Sequence, residues 1–114
     1  MISANLRKPN LRKLGARIAI AAALSLTLSA ARAEESKVTI DNFTFSPVAL
    51  KLKVGDTVTW TNHDDIPHTV VSAGKFRSKT MDTDGTFSFT FTSAGEYKYF
   101  CSLHPHMTGT ITVE

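Results

Sequence analysis

The sequence predicts an all-β domain, a small antiparallel β-sandwich of about seven short strands. Three observations support this prediction. From residue 34 onward, apolar side chains recur at alternate positions, and no segment has the spacing of an amphipathic helix. β-Branched and aromatic residues are concentrated in these segments. Turn residues, mainly Gly, Pro, Asn and Asp, separate the segments at short and even intervals.

The first half of the domain contains four predicted strands. Residues 38–40 and 43–45 alternate in apolar character and form a first pair, broken by a polar turn. Residues 50–54 alternate apolar side chains with lysines, which indicates one buried and one solvated face. Residues 57–61 (TVTWT) form the next strand. Because Gly55-Asp56 is a two-residue turn signal between these last two segments, we expect them to form a hairpin.

The second half continues the same pattern after a polar loop. Its predicted features are an extended run at 66–71, an irregular segment at 72–85, a half-buried strand at 86–92, a strand that places Tyr97, Tyr99 and Cys101 on one face, and a closing strand at 108–113. No internal repeat and no second domain is visible in this sequence.

Residues 1–33 are predicted to be a secretory leader that is removed. Residues 1–17 carry five basic side chains and no acid, and the next 14 residues are uncharged. That stretch is shorter than the roughly 20 residues that span a bilayer as a helix, and it ends in Ala31-Arg32-Ala33, a typical cleavage pattern. We expect cleavage after Ala33. The alternative is an uncleaved helix that tethers the domain to a membrane.

The charge of the expected mature domain argues against nucleic-acid binding. The whole chain has 13 basic and 10 acidic residues, but six of the basic ones precede Glu34. Residues 34–114 are therefore slightly acidic and lack the basic surface on which nucleic-acid binding depends.

A lone cysteine is unusual in an exported domain of this size. Small secreted domains that use disulfides carry an even number of cysteines, whereas this chain has only Cys101. An exposed thiol outside the cell is prone to oxidation unless something occupies it. A metal would do so; the alternative is a buried Cys that packs as a small apolar residue.

The residues that follow Cys101 indicate which metal. Cys101, His104 and Met107 stand at three-residue steps and supply a thiolate, an imidazole and a thioether. Two imidazoles, one thiolate and a weak axial thioether form the blue-copper electron-transfer site. One further His is needed to complete that set.

Three other histidines are candidates for this position. His63 lies in a polar loop next to two aspartates, and His106 is too close in sequence to His104 to share a metal with it easily. His68 follows Pro67, which stiffens the backbone, and it begins an apolar strand. We therefore favour His68; the alternative is a buried His bonded to a backbone carbonyl.

Taken together, these segments resemble the cupredoxins, the type 1 blue-copper proteins that include plastocyanins, pseudoazurins and amicyanins. The resemblance extends over residues 38–114 and rests on four motifs: GDTVTW with Asn62, Pro67-His68, GEYKYFC at 95–101, and His104-Pro105 followed by Met107-Thr108-Gly109. The two-residue spacings within the ligand loop are similar to the short loop of amicyanins.

The resemblance implies a Greek-key sandwich that binds one copper ion through His68, Cys101, His104 and Met107. It implies a periplasmic electron carrier and not an enzyme. Its expected partners are redox proteins, for example an amine dehydrogenase and a c-type cytochrome, and we expect a monomer with no membrane anchor after cleavage. The alternative is a copper-handling protein, although Met81 and Met107 are few thioethers for that role.

Two positions depart from the family pattern. Thr69 stands where an Asn commonly ties the two ligand segments together, so that contact needs another explanation in this chain. His106 stands where amicyanin-like loops often have Phe, which puts a titratable side chain on the expected docking face.

Overall fold

The computed structural model describes residues 32–114, and the predicted leader lies outside the described residues except at its last two positions. Nine strands follow one another along this part of the chain: β1 (Glu35–Asp41), β2 (Thr44–Ser46), β3 (Ala49–Leu52), β4 (Thr57–Asn62), β5 (Val71–Ser72), β6 (Phe76–Arg77), β7 (Thr86–Thr90), β8 (Gly95–Phe100) and β9 (Thr108–Val113). No helix occurs between residues 32 and 114, so nothing in that range could cross a membrane as a helix.

The strands form two sheets that pack as a sandwich. One sheet has the order β2-β1-β4-β7, and the other has the order β3-β9-β8-β5-β6. The predicted all-β sandwich is confirmed, with nine short strands where about seven were expected. Most neighbouring strands are antiparallel, but β1 runs parallel to β4 and β3 runs parallel to β9, so both sheets are mixed.

The predicted hairpin between residues 50–54 and 57–61 is wrong, because these segments lie in different sheets. β3 pairs with β9, whereas β4 pairs with β1 and β7. The turn itself bonds elsewhere: the Gly55 amide donates to the Phe91 carbonyl at 2.7 Å, and the Phe91 amide donates to the Asp56 carbonyl at 2.9 Å. The turn therefore carries the chain from one sheet to the other.

The core between the sheets consists of the alternating side chains that the sequence predicts. Its fully buried aromatic residues are Trp60, Phe45 and Phe91. Tyr97, Tyr99 and Cys101 are all buried, which confirms that they share the inner face. Cys101 directly follows strand β8, so it lies at the end of the sandwich, where the ligand loop begins.

Candidate metal centre

A buried asparagine fixes the loop that leaves β4. The Asn62 side chain is fully buried, and its amide nitrogen donates to the carbonyls of Ile66 and Met81, both at 2.9 Å. Its carbonyl oxygen accepts the Asp64 amide at 2.9 Å. Because a buried amide must satisfy its hydrogen bonds inside the protein, Asn62 holds both ends of this loop in one arrangement.

His68 lies in the loop that Asn62 holds, and its ring is completely buried. A pair of backbone hydrogen bonds joins His68 to Met81, at 3.1 and 2.8 Å. The ring atom Nε2 lies 2.7 Å from Asp64 Oδ2, so its partner is a carboxylate and not a backbone carbonyl. When Nε2 donates to that carboxylate, Nδ1 is left without a proton and is free to bind a metal.

The Asp64 carboxylate connects three parts of the chain. Besides His68, it accepts the backbone amides of Asn42 at 2.6 Å and Phe43 at 3.0 Å. The hydrogen bond from the Phe43 amide, with those from Asn42 and His68, outweighs the effect of burial and lowers the pKa of Asp64. Asp64 is therefore an ionised acceptor that orients the His68 ring.

The Cys101–Met107 loop is closed by its own backbone hydrogen bonds. The His104 amide donates to the Cys101 carbonyl at 3.2 Å, and the Met107 amide donates to the His104 carbonyl at 2.9 Å. The Cys101 amide in turn donates to the Met107 carbonyl at 3.1 Å. The three-residue spacing thus forms two successive turns that bring the ends of the loop together, with Cys101 and Met107 buried and His104 partly exposed.

Three of the predicted ligands converge on one point. The Cys101 sulfur lies 3.7 Å from Nδ1 of His68 and 3.6 Å from Nδ1 of His104. The three atoms all lie within 4.8 Å of one another. Because imidazole and thiolate ligands lie about 2.0–2.3 Å from an ion, two ligands in a trigonal plane are separated by roughly 3.5–4 Å. The donor set and its spacing therefore fit a copper ion.

The surroundings of Cys101 favour the thiolate. Burial raises the pKa of the thiol, but the hydrogen bond from the Thr69 amide, the polar contacts with the His68 and His104 rings and the contact with the Thr69 hydroxyl together lower it to about 6. Since a metal binds the thiolate and not the thiol, this environment prepares Cys101 for a metal near neutral pH.

Thr69 ties the two ligand segments together, at the position where the resemblance predicts an asparagine. Its hydroxyl oxygen accepts the Ser102 amide at 2.8 Å and lies 2.8 Å from the Ser102 hydroxyl. Its backbone amide donates to the Cys101 sulfur at 3.3 Å, and its hydroxyl lies 3.7 Å from the same sulfur. Thr69 and Ser102 therefore make the link between the two ligand segments that an asparagine at position 69 was expected to make.

The remaining candidates lie outside this cluster. His63 is half exposed and faces Asp84 at 3.8 Å. His106 is exposed on the ligand loop. Met81 is buried in the core cluster.

Sequence reasoning missed Asp64 and Phe43. The Phe43 ring contacts the rings of both His68 and His104. Asp64 could have been suspected, since an acid four residues before a histidine can reach its ring. Phe43 was missed because the histidines that it contacts are more than 20 residues away along the chain.

Comparison with known proteins agrees with this geometry. A family model described as a cupredoxin-like domain matches residues 15–113. The chain therefore belongs to the cupredoxin-like family. Members of this family carry electrons and are not enzymes, and the predicted cofactor, copper, is confirmed.

Within this family the chain is similar to amicyanins. It is 34% identical over 94 residues to amicyanin of Paracoccus denitrificans, covering 75% of this chain and 72% of that protein. It is 32% identical over 110 residues to amicyanin-alpha of Methylorubrum extorquens, covering 91% and 92%. A structure of a methionine-to-glutamine mutant of amicyanin with Cu(I) matches with a TM-score of 0.68 and 35% identity, over 70% of this chain and 82% of that one. The predicted resemblance is confirmed.

Proposed function

We propose that residues 34–114 form a periplasmic blue-copper electron carrier in which His68, Cys101, His104 and Met107 hold the copper ion. The observation that carries this proposal is the approach of two imidazole Nδ1 atoms to one buried thiolate sulfur. Met107 is buried at the end of the same loop and would supply the weak thioether ligand.

The residues of the chain suit electron transfer better than catalysis. Bound copper would supply a one-electron Cu(II)/Cu(I) couple. Four protein ligands leave no open position for a substrate, unlike catalytic metal sites. His68 is held by Asp64 and by the Met81 bridge, and Cys101 is held by Thr69. Ligands fixed in this way change position little when the charge of the metal changes, which favours fast transfer.

We also propose that processing after Ala33 produces the working domain. The backbone nitrogen of Glu34 is 2.9 Å from Asp56 Oδ1, and Asp56 Oδ2 accepts the Lys53 amide at 3.0 Å. Cleavage after Ala33 would turn this Glu34 nitrogen into an ammonium group beside a carboxylate, which strengthens the hydrogen bond. The mass of protein recovered from the periplasm tests this: a chain that begins at Glu34 is expected, and retention of residues 1–33 would contradict it.

The partners proposed for this carrier are a donor dehydrogenase or cytochrome and an acceptor cytochrome. The similarity to amicyanins favours an amine dehydrogenase as donor and a c-type cytochrome as acceptor. The partly exposed His104 is the proposed point of electron entry, with the exposed Pro105 and His106 beside it. The carrier is proposed to act as a monomer.

Copper reconstitution tests the site. The mature protein loaded with Cu(II) is expected to show an intense blue thiolate-to-copper band and reversible one-electron reduction. Cys101→Ser should abolish the band, whereas Met107→Leu should keep it and change the potential, because the axial ligand tunes it. Met81→Leu is the matched control and should change neither. Copper binding without reversible reduction would instead indicate a copper-handling protein.

A further inference from the structure

The turn between β1 and β2 contains an unusual residue. Asn42 and Phe43 both have left-handed backbone conformations, with φ of 53° and 56°. They join Asp41 to its cross-strand partner Thr44, as the two central residues of a tight hairpin turn do. Turns of this kind favour Asn-Gly, because a residue with a side chain is disfavoured at positive φ. A Phe at the second position is therefore an outlier that its own turn does not explain.

The ring of Phe43 lies against the metal centre. Its centroid is 5.4 Å from that of His68 and 5.0 Å from that of His104, and both contacts are edge-on. Phe43 is 44% exposed, so it covers the two imidazoles from the solvent side of the site. The left-handed turn is what directs a strand-end side chain onto these histidines.

Asp64 links the turn to the same histidines. Its carboxylate accepts the amides of Asn42 and Phe43 while it also bonds the His68 ring. The Asp64 carboxylate thus keeps the backbone of the turn at a fixed distance from the His68 ring. It also fixes the orientation of that ring, which belongs to a predicted ligand. The turn is therefore not free to move away from the imidazoles.

We propose that Phe43 is a positioning residue that holds His104 in its coordinating orientation. His68 has two other restraints, the Asp64 hydrogen bond and the bridge to Met81. The ring of His104 contacts the Cys101 sulfur and lies edge-on to the His68 ring, with centroids 4.9 Å apart. Phe43 packs against the same His104 ring and comes from a separate turn that Asp64 holds in place. The effect of Phe43 thus falls mainly on His104. This proposal rests on the proposed copper-binding function.

Phe43→Gly separates the two roles of this residue, because it creates the favoured Asn-Gly turn while removing the ring. The apoprotein variant is expected to melt at the same temperature as the wild type or higher, since backbone strain is relieved. Its copper affinity, measured by competition with a chelator, should fall about two- to tenfold, the range expected for one aromatic contact. NMR relaxation of the His104 ring in the apoprotein should show faster reorientation than in the wild type.

Two further variants complete the experiment. Phe43→Leu keeps apolar bulk without an aromatic edge, and should have intermediate affinity; it also replaces the glycine variant if that chain does not fold. Val48→Ala changes an exposed apolar residue and should leave both affinity and His104 motion unchanged. Unchanged His104 motion and affinity in both Phe43 variants would overturn the proposal. Failure of the wild type to bind copper would refute the proposed function instead, while His104 motion would still test Phe43.

Discussion

Thr69→Val is expected to weaken the link between the two ligand segments and to lower the reduction potential. Valine has nearly the shape of threonine, so the substitution removes the hydroxyl and creates little empty space. Three contacts are lost: the hydrogen bonds with the amide and the hydroxyl of Ser102, and the longer contact with the Cys101 sulfur. The backbone hydrogen bond from residue 69 to the sulfur remains.

The size of each effect follows from these contacts. A hydrogen bond contributes about 1 kcal/mol, and Ser102 is exposed, so water replaces part of what its amide and hydroxyl lose. A net loss of about 1 kcal/mol lowers the melting temperature of a domain of this size by about 4–8 °C. Reduction adds negative charge to the copper–thiolate unit, so a donor to sulfur favours the reduced state. Loss of a weak donor worth about 0.5–1 kcal/mol lowers the potential by about 20–40 mV.

Calorimetry of the apoprotein and voltammetry of the copper-loaded protein measure these two quantities independently. Thr69→Ser is the control, since it keeps the hydroxyl and should stay close to the wild type in both. If Thr69→Val matched Thr69→Ser in melting temperature and potential, the hydroxyl would have no role in joining the segments or in tuning the sulfur, and the reasoning would be refuted.

Three other predictions test the core, the thiol and the turn. Gly109→Ala should destabilise the domain by about 1–3 kcal/mol in urea unfolding, because the new Cβ would overlap the buried Tyr99 ring; wild-type stability would contradict this packing. The Cys101 thiol of the apoprotein should titrate near pH 6 by ultraviolet absorbance. Because its folded pKa is below the unfolded value, its contribution to stability should grow from about pH 6 to about pH 9 and be lost as the pH falls to 6. Cys101→Ser should remove this dependence, and a thiol that titrates near the ordinary pKa of 9.0 would contradict it. Asp56 accepts two backbone hydrogen bonds, which lower its pKa. Asp56→Asn should therefore be less stable at neutral pH. Its deficit should shrink as the pH falls below about 4, where the carboxylate of the unfolded wild type takes up a proton before that of the folded protein; a deficit independent of pH would count against this role.

Much of the site could be predicted because its chemistry is concentrated in a few positions. The spacing of Cys101, His104 and Met107 depends on a local loop, and the structure closes that loop with hydrogen bonds inside the same seven residues. His68 was selected by its place before an apolar strand, which is also a local property. The alternation of Tyr97, Tyr99 and Cys101 correctly predicted that the thiol lies on the buried face of the strand.

Strand pairing was less predictable, as residues 50–62 show. Alternation determines which side chains are buried but not which strand lies alongside. Leu52 and Trp60 both point into the core, and this is equally true of a hairpin and of two strands in opposite sheets. Hydrogen bonds from the turn to Phe91 and from Val54 to Glu114 favour the arrangement in two sheets, and these partners are distant in sequence.

The residues around the ligands escaped prediction for the same reason. Asp64 reaches back to the Asn42–Phe43 turn across more than 20 residues, and the Thr69 hydroxyl reaches Ser102 across 33. Each looks ordinary locally: an acid in a polar loop and a hydroxyl in a strand-like run. Phe43 is the exception, because a bulky aromatic residue in a left-handed turn is disfavoured wherever it occurs. A Phe after an Asn, where a tight hairpin turn would favour Gly, is therefore a sequence signal that can be sought in other chains with this ligand loop.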